Sequence, residues 1–126
     1  MPKILIVDDN EASRELFRAV LMGPGRQMLE ASQGQEALVV IAREAPHLVL
    51  LDVEMPVMDG YAVLRAVRDD PRFATMRILA VTANAMIGAR EKVLAAGFDG
   101  YISKPIRPAI LRKEIEELLS SRGDGA

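Results

Sequence analysis

The sequence predicts an α/β domain: an open, doubly wound parallel sheet with helices on both faces. Three observations carry this. Short apolar, β-branched runs alternate with longer segments of helical spacing, five times along 126 residues. The run LVLL at 48–51 is apolar without a break, as a strand covered on both faces requires. The length suits a single domain that buries its own core.

Each element has its own signal. Ile4 to Val7 reads as the first strand. Residues 11 to 22 then set Leu16, Phe17, Val20 and Leu21 on one helical face. Gly23-Pro24-Gly25 is a turn before a weaker strand, Gln27 to Ala31. Gly34, Ala37, Leu38, Ile41 and Ala42 repeat the helical spacing, and Leu48 to Leu51 is the third strand. Gly60, Val63, Leu64 and Val67 mark the third helix, with Asp59 placed to cap it. Ile78 to Val81 is the fourth strand, and residues 86 to 96 are a helix stopped by Gly97. Gly100 to Ser103 is a short fifth strand, and Leu111, Ile115, Leu118 and Leu119 give the last helix. Right-handed crossovers and five strand-helix pairs select the flavodoxin-like strand order 2-1-3-4-5. One domain is expected over residues 1–122, with a flexible tail at 123–126.

Composition excludes several functions. Half the residues are apolar, which excludes intrinsic disorder. Eighteen acids against sixteen bases leave a net charge of −2, too balanced for binding nucleic acid or an anionic membrane by bulk charge. Without cysteine there is no disulfide, thiolate zinc site or thiol nucleophile. One histidine cannot build a multi-histidine metal site. No apolar run approaches the ~20 residues of a membrane span. Met-Pro-Lys leads directly into a strand, so no signal peptide is read, and a cytoplasmic domain is expected.

The polar residues carry the functional information. Ligands of an open parallel sheet bind beyond the carboxyl ends of its strands. The first strand is followed by Asp8 and Asp9, the third by Asp52, the fourth by Thr82 and the fifth by Lys104. Three carboxylates, a hydroxyl and an ammonium therefore meet on one rim. Two carboxylates ~4 Å apart repel by roughly 4 kcal/mol at an effective dielectric of 20. Lys104 and one divalent cation would neutralise the three. Oxygen-only ligands suit Mg²⁺. Such a rim can set a phosphoryl group against a carboxylate nucleophile, with Lys104 and Thr82 on the phosphoryl oxygens. Taken singly, each residue also has an ordinary reading as a helix-start, turn or surface residue; their convergence is what points to a site.

The stretches ILIVDDN at 4–10, LVLLDVEMPVMDG at 48–60, ILAVTANA at 78–85 and GFDGYISKPI at 97–106 resemble the receiver domain of bacterial two-component response regulators, the CheY-like superfamily. The resemblance covers the whole chain. Within the family it is similar to single-domain cell-division regulators of the DivK kind, and also to receivers attached to hybrid sensor kinases. It implies that Asp52 is the phosphoacceptor, taking a phosphoryl group from a phosphohistidine on a histidine kinase or histidine phosphotransfer protein. It implies Mg²⁺ on Asp9 and Asp52 directly, on Asp8 mostly through water, and on the backbone carbonyl of Glu54. Thr82 and Lys104 would hold the phosphoryl oxygens. Thr82 moving inward would vacate space for Tyr101, the switch aromatic. The Lys104–Pro105 bond would be cis. Glu54 and Asn84 would tune dephosphorylation. The output would be a changed affinity for a downstream protein at the face of the fourth helix, fifth strand and fifth helix, in a monomer or weak dimer.

Other residues read more plainly. His47 is expected in an exposed loop, and Met55 and Met58 as packing residues. Val93, Ile106, Pro108 and Ala109 are either an apolar docking patch or a core edge. The Met1 start favours a complete protein; the alternative is a receiver excised from a larger hybrid kinase or multidomain regulator. An aspartate-nucleophile phosphatase of the haloacid-dehalogenase type would want D-x-D after the first strand, where Asn10 stands instead of the second acid. A flavin carrier would want a phosphate loop where Asp8 and Asp9 stand, and more aromatics than two tyrosines and three phenylalanines.

Overall fold

Five parallel strands form one sheet in the order β2-β1-β3-β4-β5 in a computed structural model describing residues 2–23, 25–84 and 86–124. The strands are β1 (Lys3–Val7), β2 (Gln27–Ala31), β3 (Leu48–Asp52), β4 (Arg77–Thr82) and β5 (Gly100–Ser103). The helices are α1 (Glu11–Leu21), α2 (Gly34–Glu44), α3 (Gly60–Asp69), α4 (Ala89–Ala96) and α5 (Pro108–Asp124). A 3-10 turn at Pro71–Phe73 links α3 to β4. The fold class, strand order and helix count are those expected.

Alternation along the strands makes two cores. Ile4, Ile6, Leu48, Leu50, Leu79 and Val81 pack with Phe17 and Leu21 of α1 and with Leu111, Ile115 and Leu118 of α5. Leu5, Val7, Val49 and Leu51 pack on the other face with α2, α3 and Val93 of α4. Every residue of β3 is buried, the physical reason its run is apolar throughout.

Several boundaries and burials differ from expectation. Leu16 is 44 % exposed, because the buried stripe of α1 is the Phe17–Leu21 pair and Leu16 flanks it. Ala42 is likewise exposed on α2. Helix α4 begins at Ala89 rather than 86, because Gly88 takes a left-handed conformation (φ 85°) and no side chain caps the helix start. Val93 is buried and belongs to the core, not to a surface patch. Helix α5 continues through Asp124, overlapping the expected tail at 123 and 124; 125 and 126 lie outside the described residues. His47 is half-buried rather than exposed: its Nδ1 accepts the Lys3 N–H at 3.0 Å, beside the β1–β3 pairing. No helix among the described residues is long and apolar enough to cross a membrane.

Candidate functional site

The strand order reverses at β1, which opens a crevice at the carboxyl ends of β1 and β3. Asp8 leaves β1 there and is fully buried. Its Oδ1 accepts the Asn10 N–H at 2.9 Å, and its own N–H reaches the Ala31 carbonyl at 3.2 Å. The Arg14 guanidinium donates to the Asp8 carbonyl at 2.7 Å and to Glu30 at 3.1 Å, fastening the loop from outside. Asn10 also caps α1, accepting the Ser13 N–H at 2.9 Å. Asp9, next in the chain, is exposed at the crevice mouth.

Asp52 is the last residue of β3, only 4 % exposed. Its Oδ1 accepts the Glu54 N–H at 2.9 Å. The chain then turns sharply into α3, whose start is capped by Asp59 accepting the Ala62 N–H at 2.9 Å. Gly60 makes that turn possible: a Cβ there would lie 2.7 Å from the Asp52 carbonyl oxygen. Met55 is buried in the core, and Met58 packs over Gly34, as packing residues should.

Lys104 follows β5 and aims its ammonium into the crevice. Nζ donates to Asp8 Oδ2 at 2.9 Å and to Asp52 Oδ2 at 3.4 Å. The Lys104–Pro105 bond is cis, as expected. Ligand oxygens of Asp8, Asp9 and Asp52 all lie within 4.8 Å of one another. Burial, and next the charge of Asp8, push the Asp52 carboxyl up to about 6, against the opposing pull of Lys104. Burial alone would lower Lys104, but its hydrogen bond to Asp8 and the charges of Asp52 and Asp8 outweigh it and hold the ammonium above its ordinary value. Three carboxylates, two of them on the one ammonium, make an oxygen-only donor set with excess negative charge, which fits a divalent cation such as Mg²⁺.

Thr82 ends β4, buried, on the other side of Asp52. Its hydroxyl accepts the Asn84 N–H at 2.9 Å and donates to the Glu54 carboxylate. The other Glu54 oxygen accepts the Ala83 N–H at 3.0 Å. Glu54 and Asn84 also line a cavity of about 660 Å³ with Tyr61, Thr82, Ile87 and Lys92. Tyr101 sits opposite Ala80 in β5, half-buried against the core of the α2–α4 face. The fold therefore brings Asp8, Asp9, Asp52, Glu54, Thr82 and Lys104 to one crevice, while Tyr101 stands one strand over. The Ala83 N–H and Arg14 are parts of this crevice that residue patterns do not reveal. A backbone donor has no residue-type signal, and Arg14 is an ordinary helix arginine until the loop it braces is known.

The chain matches the family described as the response regulator receiver domain over residues 4–116. It is 36 % identical to the polar-differentiation response regulator DivK of Brucella anthropi over 125 residues, covering 98 % of this chain and 99 % of that one. A CheY-like response regulator receiver domain protein from Methanospirillum hungatei superposes with a TM-score of 0.89 at 30 % identity, covering 100 % and 99 % of the two chains. The receiver domain of a sensor histidine kinase from Pseudomonas aeruginosa, described with a magnesium ion coordinated in its active-site cleft, superposes with a TM-score of 0.85 at 31 % identity, covering 94 % and 98 %.

Proposed function

Because the chain belongs to the response regulator receiver domain family of two-component signalling, we propose that it is a phosphoacceptor switch charged on Asp52. The observation that carries this reading is the Lys104 ammonium held between Asp8 and Asp52, 2.9 Å and 3.4 Å away, at the carboxyl edge of the sheet. A buried carboxylate with one cation beside it and a hydroxyl on the flank is arranged for attack on phosphorus.

In this reading an Asp52 oxygen attacks the phosphorus of a phosphohistidine on a kinase or phosphotransfer protein. The phosphorus–oxygen bond forms as the phosphorus–nitrogen bond breaks, and that electron pair stays on the imidazole. Asp8, Asp9, Asp52 and the Glu54 carbonyl would hold Mg²⁺. When bound, the ion neutralises the carboxylates and the charge gathering on the phosphoryl oxygens. Lys104 binds one phosphoryl oxygen from the Asp8 side, and the Thr82 hydroxyl binds another from the β4 side. Phosphorylation turns a charge of −1 into one near −2. Drawing Thr82 inward opens space beneath β4 that Tyr101 can enter. The face formed by α4, β5 and α5 then changes its affinity for a downstream protein. The chain acts as a cytoplasmic switch, with no chemistry beyond accepting and losing the phosphoryl group.

The test is intact mass after incubation with Mg²⁺ and a small acyl phosphate, beside Asp52→Asn. One added phosphoryl group, dependent on Mg²⁺ and absent in the variant, is expected. Uptake that persists in Asp52→Asn removes Asp52 as the sole acceptor.

A further inference from the structure

The donors that flank Asp52 on the β4 side are already taken. The Thr82 hydroxyl and the Ala83 N–H both point at one carboxylate, that of Glu54, one donor to each oxygen. Thr82 is held from behind by the Asn84 N–H at 2.9 Å, so its hydroxyl proton has a set direction. A hydroxyl and a backbone N–H converging on two oxygens of one anion form an anion cradle. Glu54 reaches it from only two residues beyond Asp52, with its own N–H on Asp52 Oδ1 at 2.9 Å.

We propose that Glu54 is a built-in competitor for the phosphoryl group: its carboxylate occupies the Thr82–Ala83 cradle in the unphosphorylated chain and must leave before Asp52 can be charged. The proposal rests on Asp52 being the acceptor. Two anions cannot share two donors, and the Glu54 and phosphoryl charges would repel across the same few ångströms. The side chain has somewhere to go, because Glu54 is exposed and borders the 660 Å³ cavity, whose lining includes Lys92. Two consequences follow from this occupancy. Thr82 is held toward Glu54 until displacement, so the resting position of the switch is set by a side chain and not by the absence of phosphate alone. Uptake from a small donor is slowed, whereas a docked protein donor brings binding energy that can open the contact.

The experiment compares wild type with Glu54→Ala and Glu54→Gln. Each keeps the backbone carbonyl at 54. The first readout is the Ala83 amide in the metal-free, donor-free protein. In Glu54→Ala its NMR signal is expected to move upfield and its hydrogen to exchange faster. An unmoved Ala83 amide overturns the contact itself. The second readout is a titration with beryllium fluoride and Mg²⁺. Losing a charge-assisted competitor should tighten apparent binding about three- to tenfold in Glu54→Ala, and less in Glu54→Gln, which keeps one acceptor oxygen. Equal affinity in all three proteins, with binding still lost in Asp52→Asn, overturns the competition and leaves the acceptor reading intact. Binding to none of them overturns the acceptor reading and the competition with it.

Discussion

Lys104 and Asp8 lie 96 positions apart in the chain, yet the ammonium stands 2.9 Å from the carboxylate oxygen, and Asp8 is fully buried. A buried carboxylate beside a second one needs a cation in contact or a proton on one of the two. The ion pair joins the loop after β1 to the end of β5.

Lys104→Met should destabilise the metal-free protein by on the order of 2 kcal/mol, since it leaves Asp8 and Asp52 uncompensated while part of Lys104 remains solvent-exposed. Mg²⁺ should recover much of that loss, because it supplies the missing charge. Urea unfolding with chelator and then with Mg²⁺ checks both. A variant as stable as wild type in chelator would refute the ion pair's role in the fold.

Stability should depend on pH through Asp52, whose carboxyl is raised from 3.8 to about 6, first by burial and then by Asp8. Between those values the folded chain keeps a proton that the unfolded chain has lost. The carboxyl's contribution is thus full below about pH 4 and is lost as pH rises through about 6. Asp52→Asn cannot ionise. It should stabilise the metal-free protein at pH 7 by on the order of 2 kcal/mol and make little difference near pH 4. Unfolding curves at the two pH values decide it; a gain that stays constant on acidification would point to packing instead.

Gly60→Ala should disturb both fold and site. The added Cβ would lie 2.7 Å from the Asp52 carbonyl oxygen and 2.8 Å from the Val53 Cα, and neither backbone atom can rotate away. A loss of about 1–3 kcal/mol is expected, with slower phosphoryl uptake because the backbone of Asp52, the proposed acceptor, must shift. Thermal melting and intact mass read the two effects; normal values for both would show that the α3 start has slack.

Val57→Asn should be stabilising. Val57 is fully exposed and has φ 69°, a left-handed conformation that β-branched residues resist. Asn accepts that conformation and sacrifices no buried contact, so a gain of about 1 kcal/mol is expected in denaturant unfolding. A loss would show that the exposed valine side chain makes a stabilising contact of its own.

Much of the site is legible in the sequence because residue type marks the strand ends. Apolar runs stop where Asp8, Asp52 and Thr82 begin, Lys104 follows the short fifth strand, and an open parallel sheet gathers such ends on one edge. Boundaries read less well. The onset of α4 depends on a left-handed Gly88, and the exposure of Leu16 on which two residues of α1 meet the sheet and α5. His47 is a residue type without a pattern, and its acceptor role exists only because Lys3 lies beside it across the sheet.

Architecture and rim chemistry are thus both written in residue type at a period or a position, and period-2 and period-3.6 burial are local properties of the chain. Partnership is not local. That Lys104 spans Asp8 and Asp52, that Arg14 braces the Asp8 carbonyl, and that Glu54 rests on Thr82 and the Ala83 N–H all come from the folded packing. Those contacts depend on how separate elements are set against one another, with Lys104 and Asp8 96 positions apart and Glu54 and Ala83 29. One of the decisive donors is a backbone N–H, which every residue but proline carries and no sequence pattern can single out.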